Sequence, residues 1–254
     1  MFPIITDPVF YLVAVPAVVL LGLSKGGFAG LGTASTPLVA LYLPPFEAAA
    51  LILPVLICQD LVSLYAFRRD WDPWNVKVIL IGAALGMALA WGLALHISDA
   101  LVRIIVGIIG LTFVVNAWRR RRDFEPVKKS AAHGVFWGTV TGFTSFMMQG
   151  GAPPYQVHVL PQRLPKMMLA GTTTVTFAVI NSSKIVPYMT LVDYTPRVLA
   201  TSVALLPLAV IANLTGIWLL KRLPVETFYK VIYLLLLVIS IAMLVQGAVD
   251  LWPK

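Results

Sequence analysis

Lys25, Asp60 and Lys184, together with Gln59, Gln149 and Asn181, fall inside stretches that are otherwise apolar. A lysine at membrane depth costs at least about 2.5–3.5 kcal/mol on insertion scales, so Lys25 is expected to face a cavity or an anion unless it snorkels to an interface. Lys184 lies near one end of its run, where snorkelling is the serious rival. Asp60 interrupts an apolar run, where a carboxylate can carry a coupling proton or pair with Lys25 or Lys184. Gln149, Gly150 and Gly151 offer one side-chain amide and several backbone N–H groups just before Pro153 and Pro154. Proline suits the first turn of a helix. A helix start carries partial positive charge and unbonded N–H groups, which together suit an anion. Gly32, Thr33 and Ser35 occupy a comparable break earlier in the chain, where Thr36 offers an N-cap and Pro37 the first helical position. Thr174, Asn181 and Tyr188 recur every seven residues, so they share one helix face with Lys184 beside them. Such a stripe faces the bundle interior, for a ligand or for bonds between helices.

Other chemistries lack their parts. His96, His133 and His158 are scattered and Cys58 is the single cysteine, so no metal constellation is expected. His158 can titrate near neutrality, but its place beside a predicted loop favours a structural role. No Walker motif is present, and no His–carboxylate pair accompanies the serines and threonines of the breaks. Neither an enzyme nor a cofactor is expected.

The elements that must hold these groups are membrane spans. Mean hydropathy is +0.88 and only 12% of the 254 residues are charged, which excludes a soluble domain of this length. Several runs approach the roughly 20 apolar residues that cross a hydrocarbon core. The start, MFPIITDPVF, has no Lys or Arg before its apolar run, so the first segment is expected to be retained. The net charge of +8 sits in loops, above all Arg119–Arg122 with Lys128 and Lys129, which reads as a topology signal rather than a nucleic-acid surface.

Apolar runs are expected at about 48–67, 76–95, 101–118, 167–188, 198–220 and 228–249, with broken segments at about 8–43 and 133–160. This order repeats with a period of roughly 120 residues, as in many secondary transporters. Gly22-Leu23-Ser24 answers Gly142-Phe143-Thr144, Pro45 answers Pro165, and Leu101–Ile105 answers Phe228–Ile232. The expected organisation is a first repeat at 1–118, a basic cytoplasmic linker at 119–132 and a second repeat at 133–254. If each broken segment is re-entrant, Arg68-Arg69, Arg119–Lys129, Arg163 with Lys166, and Lys221-Arg222 all fall on one side. Three crossings per repeat remain, an odd number, so the halves are inverted. The fold expected is an all-α polytopic membrane protein of two inverted repeats, each a broken re-entrant hairpin followed by three transmembrane helices. Half-helices entering from opposite faces would aim two positive dipole ends at the midplane, an arrangement for an anion.

The two glycine-rich breaks, each after a Gly-aromatic/aliphatic-Ser/Thr run and each leading into proline, resemble those of the sulfite exporter TauE/SafE family. The most specific string is GGAPPYQVHVLPQRLP with the later GTTTVTFAVIN and its Lys184, Pro187 and Tyr188. The chain departs from the family in its first half, where Gly32-Thr33-Ala34-Ser35 stands in place of a fuller glycine run. The resemblance implies export of sulfite or an organosulfonate such as sulfoacetate across the bacterial cytoplasmic (inner) membrane, with the proton gradient as a driving force. The partners implied are a small sulfur-containing anion and the lipid bilayer, with a homo-oligomer left open and no nucleic acid. An uncoupled anion channel is the alternative, and a membrane-embedded enzyme a more distant one.

Overall fold

Apolar composition and local caps together set the helices. The computed structural model describes residues 4–43, 45–93, 96, 98–119, 126–191 and 194–251. Arg120–Arg122, Asp193 and Lys254 lie outside them, as do the side chains of Thr33 and Pro37. The helices are α1 (Pro8–Lys25), α2 (Ser35–Val39), α3 (Pro45–Phe67), α4 (Pro73–Leu93), α5 (Asp99–Arg119), α6 (Ala131–Met148), α7 (Ala152–Val159), α8 (Lys166–Ser183), α9 (Ile185–Leu191), α10 (Pro196–Arg222) and α11 (Val225–Leu251). No strand occurs among the described residues. Asp7 caps α1 by accepting the Val9 N–H at 2.9 Å, with Pro8 at the first helical position. Thr195 and Pro196 start α10 in the same way.

Among the described residues, α1, α4, α10, α11 and the Glu47–Phe67 part of α3 are long and apolar enough to cross a membrane, and α5 carries the shorter apolar stretch Ala100–Val115. Large apolar side chains stand exposed along them, such as Leu12, Val203, Leu234 and Val249. In water such a surface would aggregate; against lipid tails it is matched. The chain is an all-α, multi-pass membrane protein.

Close packing divides the chain into two units, residues 1–71 with 170–223, and residues 72–169 with 224–254. Each unit draws on both sequence halves.

In the first unit, α1 lies along α10, and α10 along α3. The α1–α10 pair is parallel. The Ile5 N–H near the start of α1 bonds Thr201 Oγ1 at 3.0 Å, and Gly26 at its end meets Gly216. The pair is made close by small residues four apart on both helices, Gly22 and Gly26 against Ala212 and Gly216. Phe10, Val18, Leu51, Val55 and Leu205 fill the core between these helices.

In the second unit, α6 lies along α4, and α5 along α11. The α4–α6 pair is also parallel and built on the same device, Gly82 and Gly86 against Gly138 and Gly142. A Cβ on Gly138 would lie 2.5 Å from the Ile79 carbonyl oxygen. The α5–α11 pair is antiparallel: Arg103 near the start of α5 pairs with Asp250 at the end of α11, and Gly110 meets Ser240 midway. Val102, Val106, Ile239 and Met243 pack between them.

Both broken segments are hairpins that return to the end where they began. Tyr42, beyond α2, donates its hydroxyl to Asp7 Oδ2 at 2.6 Å, before the start of α1. After α7, Pro161 O accepts the Val127 N–H at 3.0 Å, before the start of α6. So α1, although long enough to span, leads into a turn that brings the chain back to its starting end. In the second unit the Lys129–Asp72 ion pair, the Asn75–Gln162 bonds and the Tyr229 hydroxyl on Leu164 O gather the loop ends around residues 72, 127, 163 and 225 at one end.

Candidate functional site

The first break opens where α1 runs out at Lys25. Gly27 at φ +133° and Gly30 at φ +116° take backbone conformations that other residues rarely adopt, and this turns the chain. A 3-10 turn over Leu31–Ala34 then runs directly into α2. The helix therefore begins at Ser35, ahead of the expected Thr36–Pro37 start, because the 3-10 turn has already set helical geometry. It is only five residues long. Ser35 is buried and donates its hydroxyl to Ala17 O at 2.9 Å, pinning the hairpin together. A Cβ on Gly32 would come within 3.0 Å of Leu21. Thr33 lies in the 3-10 turn.

The second break is sharper. Gln149 ends α6 in the left-handed region at φ 58°. Its N–H donates to Ser145 O at 3.1 Å, and the Gly150 N–H to Thr144 O at 3.1 Å. Two amides expected to face a ligand therefore cap α6 instead, because a helix end in apolar surroundings must satisfy its carbonyls. The remaining backbone donors at the start of α7 come from Gly151 and Ala152, since Pro153 and Pro154 have none. All eight residues of α7 are buried.

The first unit also joins four of the candidates directly. Lys25 Nζ lies 2.5 Å from Asp60 Oδ1. Asn181 Nδ2 donates to Asp60 Oδ2 at 2.7 Å, and Lys184 Nζ donates to Asn181 Oδ1 at 3.1 Å. A continuous chain runs Lys25–Asp60–Asn181–Lys184, with Lys184 fully buried and Asp60 at 3% exposure. Neither lysine snorkels. Of the pairings open to Asp60, the direct one is with Lys25, while Lys184 is reached only through Asn181. Lys25 also sits 5.8 Å from the Phe177 ring centroid.

Beside this chain lies a second polar layer built on Gln59, Ser63 and Asn213, of which the sequence gives no sign at Asn213. Ser63 donates toward Lys25 O at 2.9 Å and Asn213 Oδ1 at 3.0 Å, while Asn213 Nδ2 donates to Gln59 O at 2.7 Å. Gln59 Nε2 donates to Ala209 O at 3.1 Å. The expected stripe is inward, since Thr174, Asn181 and Tyr188 are all buried. The helix carrying it is not continuous. Lys184 stands at a turn between α8 and α9, its N–H taken by Asn181 O at 3.2 Å. Pro187 is the available signal, because it has no N–H for the Ser183 carbonyl one turn back.

In the second unit His158 is buried and tied into a hydrogen-bond network. Trp137 Nε1 donates to His133 Nε2 at 2.9 Å. An indole nitrogen only donates, so the His133 proton sits on Nδ1, which reaches His158 Nδ1 at 2.9 Å. His158 Nε2 then donates to Asn75 Oδ1 at 3.1 Å, and Gln162 closes the network on Asn75. No group of three or more metal-ligating side chains occurs among the described residues.

The sulfite exporter TauE/SafE family model matches residues 14–243, nearly the whole chain. The protein belongs to the TauE/SafE family. That match takes in both breaks and all four residues of the buried polar chain. No curated protein and no solved structure matches.

Proposed function

We propose that this TauE/SafE protein is a secondary transporter that exports a small sulfur-containing anion, sulfite or an organosulfonate such as sulfoacetate, across the bacterial cytoplasmic membrane, coupled to protons through Asp60. The observation that carries the reading is the buried Lys25–Asp60–Asn181–Lys184 chain beside a break in α1. Two buried lysines and a carboxylate are costly in a membrane protein unless an ion passes. Lys25, Asn181 and Lys184 are the proposed side-chain ligands, with Gly32, Thr33 and Ser35 shaping the turn beside them. Gln149, through its side-chain amide, and Gly151, through its backbone N–H, are proposed as a second ligand set at the start of α7, with Gly150 shaping the turn between them.

The inverted-repeat reading, 1–118 and 133–254 about a cytoplasmic linker at 119–132, is supported by three features. Helices α5 and α11, matched in sequence, pack antiparallel, as inversion requires. Each broken helix, α1 or α6, lies parallel to one helix from the other half, α10 or α4. Both broken segments return to their starting end. In transporters of this kind the ligand sits where the repeats meet.

The test is flux in liposomes holding the purified protein, with sulfite, sulfoacetate, taurine and thiosulfate as candidates. A proton gradient should drive uphill movement of sulfite or sulfoacetate. Flux whose reversal potential ignores the proton gradient would replace this reading with a channel, and no flux of any sulfur anion would remove it.

A further inference from the structure

The Lys25 ammonium is held by a group that an incoming anion must displace. Asp60 Oδ1 lies 2.5 Å from Lys25 Nζ, and the two side chains are only 5% and 11% exposed. Lys25 is also the last residue of α1, directly before the Gly26–Gly30 turn, so it is the end of the polar chain that adjoins the break. A second negative charge on the same ammonium, at this depth, faces strong repulsion from the carboxylate. We infer that proton and anion exchange at this pair: Asp60 takes up one proton as one singly charged anion takes its place on Lys25. The idea rests on the transporter reading above.

The atoms balance simply. One proton passes from water to the Asp60 carboxylate, and the anion's oxygen replaces Asp60 Oδ1 as acceptor on Lys25 Nζ. Release runs the same steps backwards, so proton and anion move in the same direction, and export proceeds down the anion's own gradient. Protonation also turns an acceptor into a donor, so an O–H of Asp60 and an N–H of Lys25 can then both point at the anion. Asn181 Nδ2 keeps its bond to Oδ2 and holds the carboxyl in place. The groups that face Asp60 are Lys25 from α1, and Asn181 with Lys184 behind it from α8 and its end. Helix α10 brings Asn213, uncharged, to the neighbouring layer through Ser63. One negative charge leaves as one arrives, so the charge of the cluster is unchanged only for a monoanion. Among the anions of the transporter reading, that selects bisulfite or a singly charged sulfonate over a dianion such as sulfate or fully ionised sulfoacetate, and makes transport electrically silent.

Methanesulfonate is the right probe because it stays singly charged across the working pH range, so any pH dependence belongs to the protein. Its binding to the purified full-length protein is measured by calorimetry between about pH 5 and about pH 8, in two buffers of different ionisation heat, to count protons. The expected result is one proton taken up per anion and an apparent Kd that rises about tenfold per pH unit where uptake is complete. Asp60→Asn should bind with flat pH dependence and no proton uptake, and sulfate should bind the wild type at least about tenfold more weakly than methanesulfonate. Wild-type binding without proton uptake overturns the exchange while leaving the transporter reading standing. So does a steep pH dependence kept by Asp60→Asn, or sulfate binding as tightly as methanesulfonate. If Asp60→Asn does not fold, the wild-type proton count decides alone. Absence of binding by methanesulfonate, sulfite and sulfoacetate at every pH removes the anion site itself, and the exchange with it.

Discussion

Gly26 and Gly216 meet backbone to backbone, and a Cβ on Gly26 would lie 2.5 Å from the Gly216 Cα. The reverse substitution is gentler, because a Cβ on Gly216 would stand 3.0 Å from both Gly26 Cα and Leu23 O. Gly26 has φ −69°, which any residue adopts, so the obstacle is contact and not backbone strain. Gly26→Ala should destabilise by about 1–3 kcal/mol through overpacking, and Gly216→Ala by less. Thermal melts of both variants in detergent check the ranking, and equal melting temperatures would contradict it.

The ion pair beside that contact predicts an asymmetry between single and double changes. Lys25→Met strands a buried carboxylate and should cost about 3–5 kcal/mol. Lys25→Met combined with Asp60→Leu removes both charges and should recover most of that stability while leaving transport dead. A double variant as unstable as the single one would show that the pair does not stabilise through mutual neutralisation.

At the loop end of the second unit, Asn75 is fully buried and holds both His158 and Gln162. Asn75→Leu takes the partner from the His158 Nε2–H and from Gln162 Oε1, while Gln162 Nε2 keeps its bond to His158 O, and should cost about 1–3 kcal/mol for each group left unsatisfied. The emission difference between Asn75→Leu and its parent, set against the same pair in a Trp137→Phe background, reports the loss, since the Trp137 indole is bonded to the same network through His133. An unchanged spectrum and an unchanged melt would contradict this account.

Asp72 and Lys129 supply a pH dependence of known sign. Burial pushes the Asp72 carboxyl up, but the Lys129 hydrogen bond, the Asn75 N–H, the Lys129 charge and the Trp74 N–H together outweigh it and leave it below the ordinary 3.8. A depressed carboxylate contributes stability that is fully present above 3.8 and is lost as the pH falls through the folded-state value. Melts of the wild type should therefore fall more steeply with acid than melts of Asp72→Asn. Parallel curves would leave the pair without a measurable part.

Topology is the remaining test. Single cysteines at Val127 and Arg163, in a Cys58→Ser background, should be labelled from the same side of the membrane. Labelling of Val127 and Arg163 from opposite sides would mean that the α6–α7 hairpin crosses.

Much of this fold is written in punctuation. Pro153 and Pro154 after two glycines announce a new helix, and the chain obliges one residue earlier, at Ala152. The first break was legible as a break but not as to its helix start, because a 3-10 turn shares the helix's dihedral range and leaves no separate mark in composition. The turn at Lys184 was missed although Pro187 stood in view, since the apolar run continues straight through it. The glycine pairs at 22 and 26, 82 and 86, and 138 and 142 are visible in the sequence, yet nothing local says which helix each one meets. The same limit applies to Asp60. Its burial could be read from its neighbours, but Asn181 stands 121 positions away, and only packing chooses between Lys25 and Lys184 as its direct partner.

The first unit takes its helices from residues 1–71 and again from 170–223. During synthesis, α1 and α3 must therefore wait in the bilayer while about a hundred residues are still being made, with the groove for α10 unfilled. The two halves of the charge pair, Lys25 and Asp60, both lie in that early segment and can neutralise each other at once. Asn181 and Lys184 arrive only when that wait is over. The buried lysine thus enters a site whose anion is already in place, and the nascent chain never has to hold Asp60 bare against lipid.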